Sequence, residues 1–443
     1  MSTDVAGRAP SSRSLRPMRD FLATEAGGGA MLGVSAVTAL VWANSPWSQS
    51  YTDLWSSRAV ISMAGHTLDL SIGSWINDGL MAIFFLVVGL EIKRELATGH
   101  LSTKRAALLP VTAAVGGMLV PAMLYLLIAG RTAAEGWAIP MATDIALAIG
   151  IVAIAGARVQ PSLRVFLLGL AIVDDIGAIV VIAIFYSSDV SAGWLAAAGV
   201  VLLATVAAQR LGMRRTGVFV VLGVVLWFAV HEAGIHATLA GVAMGLLTPT
   251  TPHLTAEYID AEALADVSSV EAAQATTEIA RASVSDVEWL QHVLHPWTSY
   301  VIVPLFALAN AGIEISADGL ADAFRSPITW GIVIGLVVGK PLGIKVSTWL
   351  AIRSGVAAHP VDSTPRQVLG VGTAAGIGFT VALFITELAF DDVQQRADAK
   401  LAVLVASVVA AVLAAAVLFS GPDPDPSPSP DPPSPGHPSP GHP

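Results

Sequence analysis

The chain has 443 residues, of which 54% are hydrophobic and 13% charged, with a formal net charge of −10 and no cysteine. Soluble globular domains carry about a quarter charged residues, so the composition excludes one. The missing cysteines exclude a disulfide framework and a thiolate metal site.

Uncharged runs such as residues 106–129 and 401–419 are each long enough to cross a hydrocarbon core of about 30 Å at 1.5 Å per residue. In chain order, the apolar segments predict twelve helices, centred in 21–43, 75–97, 105–129, 137–156, 164–186, 192–209, 216–231, 235–248, 295–312, 327–352, 366–387 and 399–420. The pair within 216–248 is short, with the polar turn HEAGIH (231–236) between its members. No small-residue cleavage site follows the first apolar run, so it reads as a first transmembrane helix, not a removed signal. Residues 44–74 read as an external segment with a short interfacial hairpin, anchored by Ile72 and Trp75 at headgroup level. Residues 1–20 read as a cytoplasmic tail, and 253–290 as an acidic cytoplasmic loop within the transmembrane domain 21–420. The Pro-rich stretch 421–443 reads as a disordered tail. Lys and Arg in the short loops fall sixteen to one side and five to the other, which places both termini inside. The fold class is therefore an all-α polytopic membrane protein.

Within IVDDIGAIVV (172–181), Asp174 and Asp175 interrupt an apolar span. A charged side chain at the bilayer centre costs on the order of 2.5–3.5 kcal/mol on insertion scales, so such residues mark function by default. Asp144 lies at similar depth in WAIPMATDIALAIG (137–150), and Lys340 follows ten uncharged residues. Three acids and one base cannot cancel. The surplus must be met by protons or by a bound cation, as in a cation-coupled pump or transporter. Neighbouring residues on a helix point about 100° apart, so one aspartate can face the base while the other faces a cavity. Hard carboxylate oxygens favour small cations such as Na⁺ or Li⁺. Competition between protons and the cation for the same oxygens would give exchange without further machinery.

Two spans carry breaker residues at mid-length: Pro140 ahead of Thr143 and Asp144, and Gly370, Gly372, Gly376 and Gly378 in GVGTAAGIGFT (370–380). Proline removes a donor and glycine relaxes the backbone, so both can open a helix at depth, where Asp144 and Lys340 would compensate the helix ends. Gly372 and Gly376 also fit ordinary small-xxx-small packing. Each broken span is the middle member of a helix triplet, 105–186 and 327–420, as in transporter inverted repeats.

Together, ATDIALAIG (142–150), DDIGAIVVIAIFY (174–186), HATLAGV (236–242), HVLHPW (292–297), PLFALANAG (304–312), GKPLGI (339–344) and GIGFT (376–380) resemble the bacterial NhaA-type Na⁺/H⁺ antiporters. The likeness runs from about Phe21 to Ser420. It implies about twelve transmembrane helices in inverted repeats with two broken crossing helices, in the bacterial cytoplasmic membrane. It also implies a secondary active transporter, not an enzyme, exporting Na⁺ (or Li⁺) electrogenically against incoming protons. By the same resemblance, Asp175 would be the principal cation ligand, Asp174 would pair with Lys340 in one state, and Thr143 and Asp144 would belong to the helix crossing. His236 matches a histidine associated with pH response, and Glu91 and Glu95, with Lys93 and Arg94, lie at a cytoplasmic funnel position. The expected substrates are Na⁺ and H⁺ in a lipid bilayer, with no cofactor and no nucleic acid; the likeness suggests a homodimer. The acidic stretch before HVLHPW departs from the family pattern, in which this stretch is short and rich in base–acid pairs. Asp78, after Trp75, reads as a helix cap.

Other chemistries fit less well. DDIGA lacks the third acid of a diphosphate-binding DDxxD motif. Lys340 would spoil a shared-proton dyad of Asp144 and Asp175. A symporter for an organic anion would need donors beyond Lys340.

Overall fold

The computed structural model describes residues 25–63, 66–187, 189–213, 215–252, 281, 283–357 and 364–420. The expected tail 1–20, residues 253–280 and 282 of the acidic segment, and the stretch 421–443 lie outside the described residues.

Helix α1 (Glu25–Ala43) turns through 113° into α2 (Ser48–Ser56). Asn44 makes that corner, its amide donating to Leu40 O and to Ile313 O, both at 2.8 Å. The expected interfacial hairpin contains an antiparallel β pair, β1 (Arg58–Met63) with β2 (His66–Ser71), in the register Arg58↔Ser71. The next span, Ile72–Ala97, opens with a π-helical turn (Trp75–Leu80) and continues as α3 (Met81–Ala97). Trp75 ties it to the hairpin by donating to Ala59 O at 3.1 Å.

There follow α4 (Lys104–Ala129), a 3₁₀ segment Ala134–Met141, α5 (Ile145–Ala155), α6 (Pro161–Phe185), α7 (Ala192–Arg210), α8 (Thr216–Glu232) and α9 (Thr238–Leu247). Helix α10 (Asp286–Trp297), a π turn (Thr298–Ile302) and α11 (Val303–Asn310) make one span. It begins earlier than expected because Ser285 caps it by accepting from Glu288 N, so residues 286–290 of the acidic segment are helical. The chain closes with α12 (Ala317–Arg325), α13 (Pro327–Ile334), a π turn (Gly335–Gly339), α14 (Lys340–Arg353), α15 (Pro365–Ala374), α16 (Phe379–Ala389) and α17 (Val393–Phe419).

Among the described residues, eight helices are long and apolar enough to cross a membrane, or ten with each bent pair taken as one span. The short apolar helices α8 and α9 occupy the remaining two expected segments. The protein is a multi-pass helical membrane protein with a small β-hairpin on one face.

The two triplets share one plan: a long helix, an interrupted helix, and a second long helix. Their first members run antiparallel, because Gly331, Gly339 and Gly343 pack in turn against Tyr125, Pro121 and Gly116 of α4. Such an arrangement is an inverted repeat. Close approach is the reason for glycine here: a Cβ at Gly343 would lie 2.1 Å from Gly116 O, and one at Gly116 2.5 Å from Gly343 O. Without a hydrophobic drive between helices in lipid, such backbone-to-backbone packing holds the bundle. Since Gly339 immediately precedes Lys340, this seam also sets the depth of the buried base.

Replacing Gly343 by valine forces α4 and α14 apart. We expect a loss of about 1–3 kcal/mol, the usual cost of overpacking, seen as a lower unfolding temperature in detergent together with weakened transport.

Candidate functional site

The residues between the 3₁₀ segment and α5 are extended, with Ala142 at φ −72°, ψ 147° and Asp144 at φ −88°, ψ 101°. The second interruption, 375–378, separates α15 from α16 at a 47° bend. The two breaks touch. Asp144 N donates to Ile377 O at 2.6 Å, and Thr143 Oγ1 donates to Ala375 O at 2.9 Å. The Asp144 carboxylate spans the joint: Oδ1 accepts from Leu147 N at 3.1 Å, and Oδ2 accepts from Thr380 N at 3.0 Å and Thr380 Oγ1 at 2.8 Å. One carboxylate thus faces the amino ends of α5 and α16 together, where the partial positive charge of helix termini favours an anion.

The carbonyl ends of the broken helices meet donors. Lys340 Nζ donates to Met141 O and to Asp174 Oδ2, the latter at 2.5 Å. Asp174 Oδ2 also accepts from Thr143 Oγ1 at 2.6 Å. Lys340 and Asp174 are 0% and 1% exposed along their side chains, so neither could remain charged there without the other. The glycines of the second break act through their missing Cβ. Among the described residues, the positive-φ glycines are Gly156, Gly212, Gly234 and Gly355, none of them in the break. A Cβ at Gly376 would lie 2.5 Å from Leu336 O, and one at Gly378 3.1 Å from Ala142 O.

Asp175 differs from its neighbour. It is 7% exposed, and among the described residues its carboxylate takes part in no hydrogen bond or ion pair. It lies within the fields of Asp174, Glu91, Lys340 and Asp144. Asp174 Oδ1 is likewise buried without a hydrogen-bond partner. The Asp175 carboxylate and Asp174 Oδ1, on adjacent residues of α6, are therefore without a fixed partner among the described residues.

Thr143, Asp144, Asp174, Asp175 and Lys340 converge at this joint, with Glu91 in electrostatic reach. Glu95, one turn beyond Glu91 on α3, folds instead over Gly99. His236 lies elsewhere: it sits against Tyr186 at the far end of α6, with its Nε2 unpartnered. That is eleven residues from Asp175 in sequence, roughly 16 Å along the helix axis. Asp78 caps no helix; it lies inside the π turn Trp75–Leu80, where its backbone oxygen accepts from Trp227 Nε1 at 2.9 Å. Sequence reasoning missed Thr380, which supplies two of the donors on Asp144. The available signal was a hydroxyl two residues past Gly378, in the first turn of a helix reopening at depth. The carbonyls of Met141, Ala375 and Ile377 carry no side-chain signal at all.

Asp144→Asn puts an amide donor against either Thr380 N or Leu147 N, whichever way the amide turns, because each needs an acceptor. A buried donor left unpaired costs about 1–3 kcal/mol. The variant is therefore expected to melt earlier than the wild type, while Thr380→Ser, which keeps both donors, melts nearly as the wild type does; tryptophan fluorescence on heating measures both.

With the geometry in hand, comparison with known proteins adds the lineage. The family described as Na⁺/H⁺ antiporter 1 matches residues 19–418. The Na⁺/H⁺ antiporter NhaA of Rhodopirellula baltica is 47% identical over 416 residues, covering 91% of this chain and 93% of that protein. NhaA 2 of Myxococcus xanthus is 45% identical over 414 residues, covering 90% and 88%. NhaA of Escherichia coli is 42% identical over 404 residues, covering 90% and 97%. The match spans about nine-tenths of this chain, and the chain belongs to the Na⁺/H⁺ antiporter family, whose members are secondary transporters and not enzymes.

Proposed function

We propose that the chain exports Na⁺ (or Li⁺) in exchange for a larger number of incoming protons, both competing for Asp175 and the open oxygen of Asp174. The observation that carries this reading is the difference between the two adjacent acids. Asp174 is held by Lys340 and Thr143, and Asp144 by two helix ends. Asp175 is buried with no such partner. An isolated carboxylate away from water is strongly disfavoured, so it must take up a proton or a cation. Na⁺ bound there would be met by hard oxygens from Asp175 and Asp174 Oδ1.

Exchange also needs access from one side at a time. The joint couples ligand to geometry, because the Lys340–Asp174 pair ties α14 and α6 to the unwound residues 141–143. A cation drawing on Asp174 loosens that pair, and the interrupted helices are the elements able to shift in response. Release of one Na⁺ against protonation of more than one group makes the cycle electrogenic. Glu91 is placed to modulate Asp175 through its field; His236, at the far end of α6, is not.

Sidedness follows from the basic loops. Gln367 donates to Arg158 O at 2.7 Å, and Arg366 donates to Val417 O at 3.1 Å. The loop 156–158, the start of α15 and the end of α17 thus share one face, which we assign to the cytoplasm of a bacterial cell with both termini on it.

The test is purified protein in liposomes with a pH-sensitive dye trapped inside. Added external Na⁺ should drive proton efflux in the wild type, and Asp175→Asn should abolish it while insertion and melting are preserved. Full exchange in that variant refutes the site.

A further inference from the structure

A second pair of ionisable groups lies at the opposite end of α3's span from Glu91. Asp78 precedes Glu91 by thirteen residues in the same span, roughly 20 Å of helix, on the face away from Lys93 and Arg94. It sits in the π turn Trp75–Leu80, a helix irregularity that often marks functional positions. Trp227 anchors the turn by donating its indole N–H to Asp78 O. The same indole is shared by two stacked pairs, with Trp75 at 5.9 Å and 18° and with the His231 imidazole at 5.7 Å and 10°.

The Trp227 face holds the His231 ring nearly parallel to it. His231 is the charged side chain whose field reaches the Asp78 carboxylate. Beside Asp78, Asn77 of the same turn accepts from Asn310 Nδ2 of α11 at 2.8 Å. Glu232 follows His231 on α8. Among the described residues, neither the Asp78 carboxylate nor the His231 imidazole is engaged in a hydrogen bond. The geometry is therefore that of an acid and a base, each half-buried, oriented by a rigid aromatic stack and left open to exchange protons.

We propose that Asp78 and His231 form a proton-loading pair at the extracytoplasmic mouth, taking protons from outside before they reach the Asp175 site. This rests on the antiport reading given above. It assigns to a titratable pair remote from the cation site the dependence of exchange on outside pH, separately from the dependence on inside pH.

The experiment measures ²²Na⁺ flux against bath pH in right-side-out and everted membrane vesicles from cells lacking other Na⁺/H⁺ exchange. In right-side-out vesicles the bath titrates the extracytoplasmic face; in everted vesicles it titrates the cytoplasmic face. We expect Asp78→Asn to flatten the right-side-out profile, and His231→Gln to move its midpoint by about one pH unit, as loss of a neighbouring charge does. Both variants should keep the wild-type profile in everted vesicles. His231→Gln retains an amide at a half-buried position, so it decides the matter if Asp78→Asn fails to insert. Unaltered right-side-out profiles, or equal changes in both orientations, overturn the proposal. An inactive wild type would instead contradict the antiport reading, and this inference with it.

Discussion

The structure depends on one joint, where two interrupted helices cross and a single carboxylate faces the amino ends of both. Hydrocarbon offers no water to unpaired backbone, so a helix can be broken at depth only where something else supplies the lost hydrogen bonds. Asp144 satisfies Leu147 N and Thr380 N at once, and its own N–H goes to Ile377 O. On the carbonyl side, Lys340 and Thr143 meet Met141 O and Ala375 O. The breaks are thus mutual: neither interrupted helix could be satisfied in lipid without the other.

That solution uses nearly every polar group at the joint, and the remainder is informative. Lys340 can neutralise one carboxylate, and Asp174 receives it. Glycine seams allow this, since Gly335, Gly339 and Gly343 bring the helix bearing Lys340 against α4, and Gly376 lets the second break settle on Leu336 O. Asp175 is left buried without a fixed partner, one residue along the same helix. Substrate binding and the structural tie therefore share an element, the Lys340–Asp174–Thr143 contact. A site built this way links occupancy to the arrangement of the broken helices.

Much of this was legible in the sequence because membranes make charge placement expensive. Apolar run lengths marked the spans and the short apolar helices α8 and α9 but not α2 or α12, and acids at depth marked Asp144, Asp174 and Asp175 on physical grounds alone. The triplet position of the two breaks pointed to the inverted repeat. What sequence could not show were partners that exist only through tertiary approach: the carbonyls of residues 141, 375 and 377, and the two donors of Thr380. The glycines of GIGFT were read as relaxing the backbone, with close packing as the alternative for Gly376; neither has a positive φ, and their use is steric. Asp78 was read as a cap because it follows an interfacial tryptophan; the π turn that removes it from that role leaves no trace in composition. His236 was weighed as a pH-responsive residue from likeness alone, and only the fold shows its distance from the carboxylates.

The most direct test of the account is the dependence of Na⁺ affinity on pH, measured from transport currents of proteoliposomes on a solid-supported membrane. If Na⁺ and protons compete for the Asp175 site, the KM for Na⁺ rises at least about tenfold for each unit of acidification below the proton affinity of the site, about tenfold for each competing proton. The maximal current stays constant meanwhile, and its existence reports net charge movement. A KM independent of pH, with the maximal current alone falling as protons are added, would contradict a shared carboxylate site.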